Sequence, residues 1–128
     1  MSAVRLQLIH YRDDGESGSG KFVLLRHEGA VQLCLAARSL ASFHAHIVER
    51  YCAEQGVAVT RSDAQGIVIP EPRVQVLGGG RFERDDRLCT LRLYGTSLGY
   101  GPFPRDGLRD MLLASAVLPG YTISVEAS

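Results

Sequence analysis

His44 is the histidine whose position best suits it to chemistry. The stretch "SLASFHAHIVERYCAEQG" (39–56) predicts an amphipathic helix, and His44 lies in its first turn. The positive end of the helix dipole opposes protonation there, so we expect a neutral imidazole at pH 7 that can act as a base or a nucleophile. The free backbone N–H groups of the same turn, including that of Ala45, are expected to attract an anion. The alternative is a histidine that only caps the helix or packs against a neighbour.

The segment "SLGYGP" (97–102) is a second candidate for anion binding. Its glycines lie between a predicted strand and a predicted helix, where they let successive backbone N–H groups converge, and the Ser97 hydroxyl adds a donor. The spacing matches neither the phosphate-binding motif GxxxxGK[ST] nor GxGxxG. By itself the segment is as typical of a structural turn as of an anion site.

Two basic residues could complete such a site. Lys21 is the one lysine among 14 basic residues, and it opens a predicted strand directly after the polar, glycine-rich turn 12–20. Arg81 follows the glycine cluster at 78–80. That cluster indicates either a β-bulge or twisted hairpin turn, or a backbone packed closely beneath a site, with Arg81 reaching the anion.

The histidine spacing does not suggest a metal centre. His44 and His46 are two residues apart and would point to different sides of a helix, whereas a helical zinc site needs a spacing of four. His10 and His27 are isolated in predicted strands. We therefore expect no metal and no cofactor.

The three cysteines, Cys34, Cys52 and Cys89, are far apart in the chain, and each has apolar neighbours. This arrangement is typical of buried free thiols in a reducing compartment. The N-terminal residues lack the apolar core of a signal peptide, and no apolar run approaches the roughly 20 residues that span a bilayer. We expect a cytoplasmic protein that does not associate with membranes.

Length and charge favour a single domain, residues 1–128, that does not bind nucleic acid. A chain of 128 residues, 45% of them hydrophobic, can bury a core without disulfides or metals. The formal net charge is zero and the arginines are dispersed, whereas a nucleic-acid-binding protein would show a basic stripe. The small size and balanced charge are compatible with a monomer.

The hydrophobic pattern predicts the element order β-β-β-α-β-β-β-α-β. Alternating or apolar runs indicate strands at 4–11, 21–27, 30–37 and 121–126, with further strands within 57–72 and 73–95, the last broken at the glycine cluster. This order predicts an α+β fold, a single mixed β-sheet of about six strands with two α-helices that both cover one face.

Helix signals support two helices. Ser39 or Ser42 can cap the first helix, and Gly56 can end it. Leu108, Met111 and Leu112 have helical spacing and predict the second helix.

Taken in order, several segments resemble the Janus/Ocnus family, the 14 kDa phosphohistidine phosphatases. The segments are "GKFVLLRH", "SFHAHIVERY", "LGGGR" and "LYGTSLGYGP", and the resemblance runs from about residue 20 to 125. The parts "GGGR" and "YGxSxxYGP" are its most specific features.

The resemblance implies an enzyme that hydrolyses the P–N bond of phosphohistidine without a metal. Its catalytic histidine corresponds to His44, and general-base catalysis is favoured over nucleophilic attack, although the residues by themselves leave both open. With the N–H of Ala45 added from the helix argument, the substrate-binding and phosphate-binding residues are Lys21, Ala45, Arg81, Ser97, Leu98 and Gly99.

The chain also departs from the family pattern. His46 replaces the aspartate of the YHAD segment, Thr96 replaces a tyrosine, and Gly99 replaces an alanine. The segment "FPRD" (103–106) follows where the family often has an alanine and a histidine. We expect Ser97–Pro102 to hold the phosphate, and Thr96 and Phe103–Asp106 to help decide what the phosphate is attached to.

Because of these departures, the substrate stays open. The expected partner is a phosphohistidine-containing protein or a small phosphorylated substrate. One alternative is a phosphatase or phosphoamidase that acts on a small phosphorylated metabolite. Another is a non-catalytic module that binds a phosphorylated ligand.

Overall fold

The structure is a computed structural model that describes residues 5–11, 18–37, 44–61, 67–68, 74–97 and 100–126. The described strands are β1 (Arg5–Tyr11), β2 (Ser19–His27), β3 (Ala30–Ala37), β4 (Thr60–Arg61), β5 (Ile67–Val68), β6 (Val74–Asp85), β7 (Thr90–Tyr94) and β8 (Thr122–Val125), and the described helices are α1 (His44–Gln55) and α2 (Leu108–Ala114). The order is the predicted one with one additional strand in the 57–95 region.

The main sheet is mixed and has six strands, in the order β1-β3-β2-β6-β7-β8. The edge pairs β1–β3 and β7–β8 are parallel, and the three inner pairs are antiparallel. β4 and β5 form a separate antiparallel ribbon. The predicted α+β fold, with one mixed sheet of about six strands and two helices, is therefore confirmed.

The two helices lie on opposite faces of the sheet. Between the sheet and α2, the buried residues include Phe22, Leu24, Phe82, Leu108 and Leu112. Between the sheet and α1, they include Val23, Leu25, Ile47, Tyr51 and Cys52. Because successive strand residues point to opposite faces, β2 contributes alternate side chains to both layers. We refer below to the α1 face and the α2 face.

The prediction that both helices cover one face is wrong. The run Phe22–Leu25 has four consecutive buried residues, and all residues of β3 after Ala30 are buried. An unbroken apolar run of this kind is typical of a strand that is covered on both sides. Burial of both faces requires a helix on each.

The end of α1 follows local rules. Gly56 comes directly after the helix with a φ of 70°, and the N–H of Val57 donates to the carbonyl of Cys52 at 2.8 Å. This left-handed glycine ends the helix, as predicted. The proposed caps Ser39 and Ser42 lie outside the described residues.

Strand β6 runs continuously through the glycine cluster, so the predicted break there is wrong. The pairing of β2 with β6 changes register between Leu24 and Leu25, opposite Val76 and Gly78, which places a β-bulge at this point. Gly78 has a φ of 143°, and a side chain there would collide with the backbone of Pro102. The bulge bends the strand without ending it.

Two of the three cysteine predictions are confirmed. Cys34 and Cys52 are buried free thiols, whereas Cys89 is exposed. Cys89 lies in the turn between β6 and β7 with a φ of 54°, so its apolar neighbours in the chain do not enclose it. Within the part of the chain that the structure describes, neither helix is long and apolar enough to cross a membrane.

Candidate active site

Strands β2 and β6 bring two of the predicted basic residues side by side. Lys21 and Arg81 are direct partners in the antiparallel pairing of the two strands. Lys21 lies two residues before Val23, which packs beneath α1, so both side chains belong to the α1 face. Lys21 is half-buried and Arg81 is exposed. The pair therefore offers two neighbouring positive charges where β2 begins.

Gly79 forms the floor beneath His44 and Ser97. A methyl group added at Gly79 would lie 2.9 Å from Cδ2 of His44 and 3.3 Å from Cβ of Ser97. Two predicted site residues that are 53 positions apart in the chain, His44 and Ser97, thus meet over one glycine of β6. Only a residue without a side chain allows this approach.

A backbone carbonyl determines which nitrogen of His44 carries the proton. Nε2 of His44 lies 2.8 Å from the carbonyl oxygen of Gly80. A carbonyl oxygen can only accept a hydrogen bond, so Nε2–H must be the donor. In the neutral imidazole the lone pair then belongs to Nδ1, which is the atom available for chemistry.

The surroundings of His44 favour its neutral form. Burial lowers its pKa below the usual 6.5, and the positive charges of Lys21 and Arg81 lower the pKa further, against the hydrogen bond to Gly80, which raises it. The two cations that could hold a phosphate therefore lie close enough to His44 to affect its protonation.

Ser97 is buried, with only 2% of its surface exposed. Its hydroxyl accepts a hydrogen bond from the N–H of Tyr100 at 3.1 Å. Its backbone forms a β-bridge with Gly101, whose carbonyl oxygen also accepts the N–H of Gly79 at 3.2 Å. The hydroxyl therefore closes a local turn with Tyr100, and the Gly101 carbonyl bonds the same segment to β6, roles that the sequence did not indicate. Leu98 and Gly99 lie outside the described residues.

Ala45 is the second described residue of α1. Its side chain is half-buried and packs against the apolar layer beneath the helix. A contribution to anion binding would therefore come from its backbone N–H, as the sequence indicates.

Phe103 is not part of this site, contrary to expectation. Its side chain is 2% exposed and lies in the layer beneath α2, with its ring edge-to-face to that of Phe22 at 4.8 Å between centroids. The sheet separates it from His44. Gly101, with a φ of 82°, and Pro102 come directly before Phe103, where the chain passes from one side of the sheet to the other, and local periodicity does not reveal this passage.

An open groove lies on the α1 face across β6, β7 and β8, and its nearest lining residue on β6, Glu83, is two residues from Arg81. It has a volume of about 470 Å³, and most of its lining residues are polar side chains of this face: Glu83, Asp85, Thr90, Arg92, Thr122 and Ser124. Glu83 follows Arg81 by two residues on β6 and is paired with Arg92 of β7. The groove adjoins the site without containing His44.

One further functional group had no signal in the sequence pattern, because the carbonyl of Gly80 is a backbone group that every residue possesses. Close packing at Gly79 was one of the alternatives that the glycine cluster indicated. The described residues contain no group of three or more His, Cys, Asp or Glu side chains that could hold a metal ion.

Comparison with known proteins identifies the family. The sequence model of the Janus/Ocnus family matches residues 13–121, which is most of the chain. A search of curated proteins found no match. The matched region includes His44, Lys21, Arg81 and Ser97, and the chain belongs to the Janus/Ocnus family.

Proposed function

We propose that this protein is a metal-independent phosphatase that hydrolyses the P–N bond of phosphohistidine. The observation that carries the proposal is the position of His44, whose Nε2–H is held by the Gly80 carbonyl, over Gly79 and beside Ser97. A neutral histidine with a defined free nitrogen next to two cations has the components that phosphoryl transfer requires.

Nδ1 of His44 acts as the general base. It takes a proton from a water molecule as the water oxygen attacks phosphorus. The P–N bond breaks, the leaving imidazole nitrogen takes a proton from solvent, and inorganic phosphate is released. His44 then returns its proton to solvent, which restores the neutral base. The lowered pKa of His44 keeps Nδ1 unprotonated at neutral pH, so the base is ready before substrate arrives.

Lys21 and Arg81 compensate the charge on the phosphoryl oxygens. They are neighbours across β2 and β6, and their charges already act on His44. The backbone N–H of Ala45 adds a donor, and the family resemblance adds those of Leu98 and Gly99, whereas the N–H of Ser97 already donates to the Gly101 carbonyl. Fixed donors of this kind stabilise the transition state without reorganisation during the reaction.

The open surroundings favour a protein-borne phosphohistidine over a small metabolite. Arg81 is exposed, and a separate open groove on the same face is lined by Glu83 and Arg92. A phosphorylated side chain on another polypeptide can approach such a site, whereas sites for small molecules usually enclose most of the ligand.

The test is a hydrolysis assay with three substrates, a phosphohistidine peptide, phosphoramidate and p-nitrophenyl phosphate, each with and without EDTA. The proposal expects turnover of the peptide that EDTA does not reduce. A strong preference for a free small substrate would favour the metabolite alternative. Phosphate-dependent chemical-shift changes without any turnover would favour the binding module.

His44→Ala tests the assigned base. We expect loss of turnover with an intact fold, since the ring packs over Gly79 without filling the central core. Activity close to wild type, with a circular dichroism spectrum unchanged, would contradict the assignment. Rapid quenching followed by mass spectrometry separates the two chemistries, because only nucleophilic attack leaves a phosphorylated His44.

A further inference from the structure

Arg105 makes three hydrogen bonds to backbone carbonyls. Its Nε donates to Glu126 at 2.7 Å, its Nη1 to Phe103 at 3.1 Å and its Nη2 to Gly95 at 2.8 Å. The guanidinium also lies over the Phe103 ring, 4.1 Å from its centroid. One side chain thus bonds three separate positions of the backbone.

These three positions surround the connection between Gly95 and Phe103, which contains Ser97 and joins β7 to the segment before α2. Gly95 directly follows β7, Phe103 is at the far end of the connection, and Glu126 directly follows β8. Ser97 is two residues from Gly95. Arg105 therefore ties both ends of the connection to each other and to the edge strand of the sheet.

The chemistry of the three contacts requires arginine. Hydrogen bonds from a charged donor are stronger than those between neutral groups, and a planar guanidinium can direct several N–H groups along fixed directions. A lysine ammonium keeps the charge but not this fork, and a glutamine amide cannot reach three acceptors in the same geometry.

We propose that Arg105 is a positioning residue for the candidate phosphate site. It acts through the backbone at Gly95 and Phe103, and so keeps Ser97 seated over Gly79 and beside His44. Its catalytic consequence rests on the proposed phosphatase function, whereas its effect on the connection does not.

The experiment compares Arg105→Lys and Arg105→Gln with the control Arg109→Gln. Arg109 is an exposed residue of α2 whose Nε donates a hydrogen bond to the carbonyl of Ile123 at 2.9 Å. Its substitution therefore removes a similar group without affecting the contacts at Gly95 and Phe103. Amide hydrogen exchange is followed at Ser97 and Gly101, whose N–H groups are both hydrogen-bonded across the connection.

We expect the exchange rates of these two amides, relative to those of the core amides of β2, to rise about tenfold or more in both Arg105 variants. In Arg109→Gln the same rates should stay unchanged. With phosphoramidate, the Arg105 variants should raise KM several-fold and leave the pH dependence from His44 in place, because β6 still holds the ring. Arg105→Lys retains the charge, so it keeps the test interpretable if Arg105→Gln fails to fold.

Two outcomes would overturn the inference. One is exchange at Ser97 and Gly101 that stays at the wild-type rate in both Arg105 variants. The other is an equal acceleration in Arg109→Gln, which would indicate a general loss of stability. Absence of turnover and of phosphate binding in the wild-type protein would instead contradict the proposed function, and the exchange data would still decide the role of Arg105.

Discussion

At the scale of single residues, the protonation of His44 follows from its burial, one backbone acceptor and two side chains. Burial lowers the pKa most, the hydrogen bond from Nε2–H to the Gly80 carbonyl raises it, and the charges of Lys21 and Arg81 lower it further. The cations that would bind a phosphate in the proposed function therefore also help to keep the proposed base unprotonated.

The pH profile of kcat/KM is expected to fall on the acid side with a midpoint below 6.5. His44 acts in its neutral form and its pKa is lowered, so activity persists as the pH drops through 6.5 and disappears only below the shifted pKa. Lys21→Met removes one cause of the lowered pKa and should move the midpoint upward.

Arg26→Met is the matched control for this charge change. Arg26 is an exposed residue near the other end of β2, so its replacement should leave the midpoint where it is. A wild-type midpoint above 6.5, or a downward shift in Lys21→Met, would contradict the assignment of His44 as the titrating base.

Ser97→Ala tests the buried hydroxyl. The substitution removes the acceptor of the Tyr100 N–H, and we expect a loss of about 1 kcal/mol in the free energy of unfolding. Activity should fall through a higher KM, because the connection is no longer held in place. Urea denaturation and steady-state kinetics measure the two effects. A kcat that disappears while KM is unchanged would mean that the hydroxyl takes part in the chemical step.

At the scale of elements, two successive glycines of β6 allow close packing on opposite faces of the sheet. Gly79 faces α1 and lies beneath His44, whereas Gly80 faces α2 and lies beneath Phe103. The bulge opposite Leu24 and Leu25 precedes this pair and bends the strand. The glycine cluster thus allows close packing on both sides of one strand.

Gly79→Ala and Gly80→Ala are expected to differ in their effect on activity. Both add a methyl group against backbone atoms, at Phe22 for Gly79 and at Tyr94 for Gly80, so both should lower the Tm. Gly79→Ala also places its methyl group against the His44 ring, so it should reduce kcat/KM more strongly than Gly80→Ala, which reaches the ring only through the Gly80 carbonyl. The comparison is made at a temperature where both variants are folded. Equal losses of activity would show that general distortion of β6 dominates.

At the scale of the whole molecule, the sheet separates the site from half of the core. The α1 face carries His44, Lys21 and Arg81, and the α2 face carries an apolar layer around Phe22 and Phe103. Both layers consist of buried apolar side chains, but only the layer beneath α1 adjoins the candidate site.

Ile47→Ala and Leu112→Ala compare the two layers. Both side chains are 1% exposed, so each truncation should cost about 2–5 kcal/mol of unfolding free energy. Ile47 is three residues after His44 on α1, and its loss should also reduce activity at low temperature. Leu112 lies across the sheet, and its variant should keep near-wild-type kcat/KM while folded. Loss of activity in both variants would indicate that the layers are coupled through the sheet.

The sequence by itself determined most of the elements and the family, and it supplied the candidate site residues. Alternation predicted the strands around Lys21 and the helix that begins near His44, and the order of the glycine segments indicated the family. These are local signals, because periodicity and glycine placement depend on neighbours in the chain.

Only the tertiary structure decided how these parts face one another. Periodicity shows which side of an element is apolar but not which neighbour covers it, so the opposite placement of α1 and α2 was not predicted. The continuation of β6 through its glycines depends on pairing with β2, and the contacts of Phe103 and Arg105 depend on a crossing from one face to the other. The proton on Nε2 of His44 is set by the Gly80 carbonyl, a group with no signature in the sequence because every residue has one.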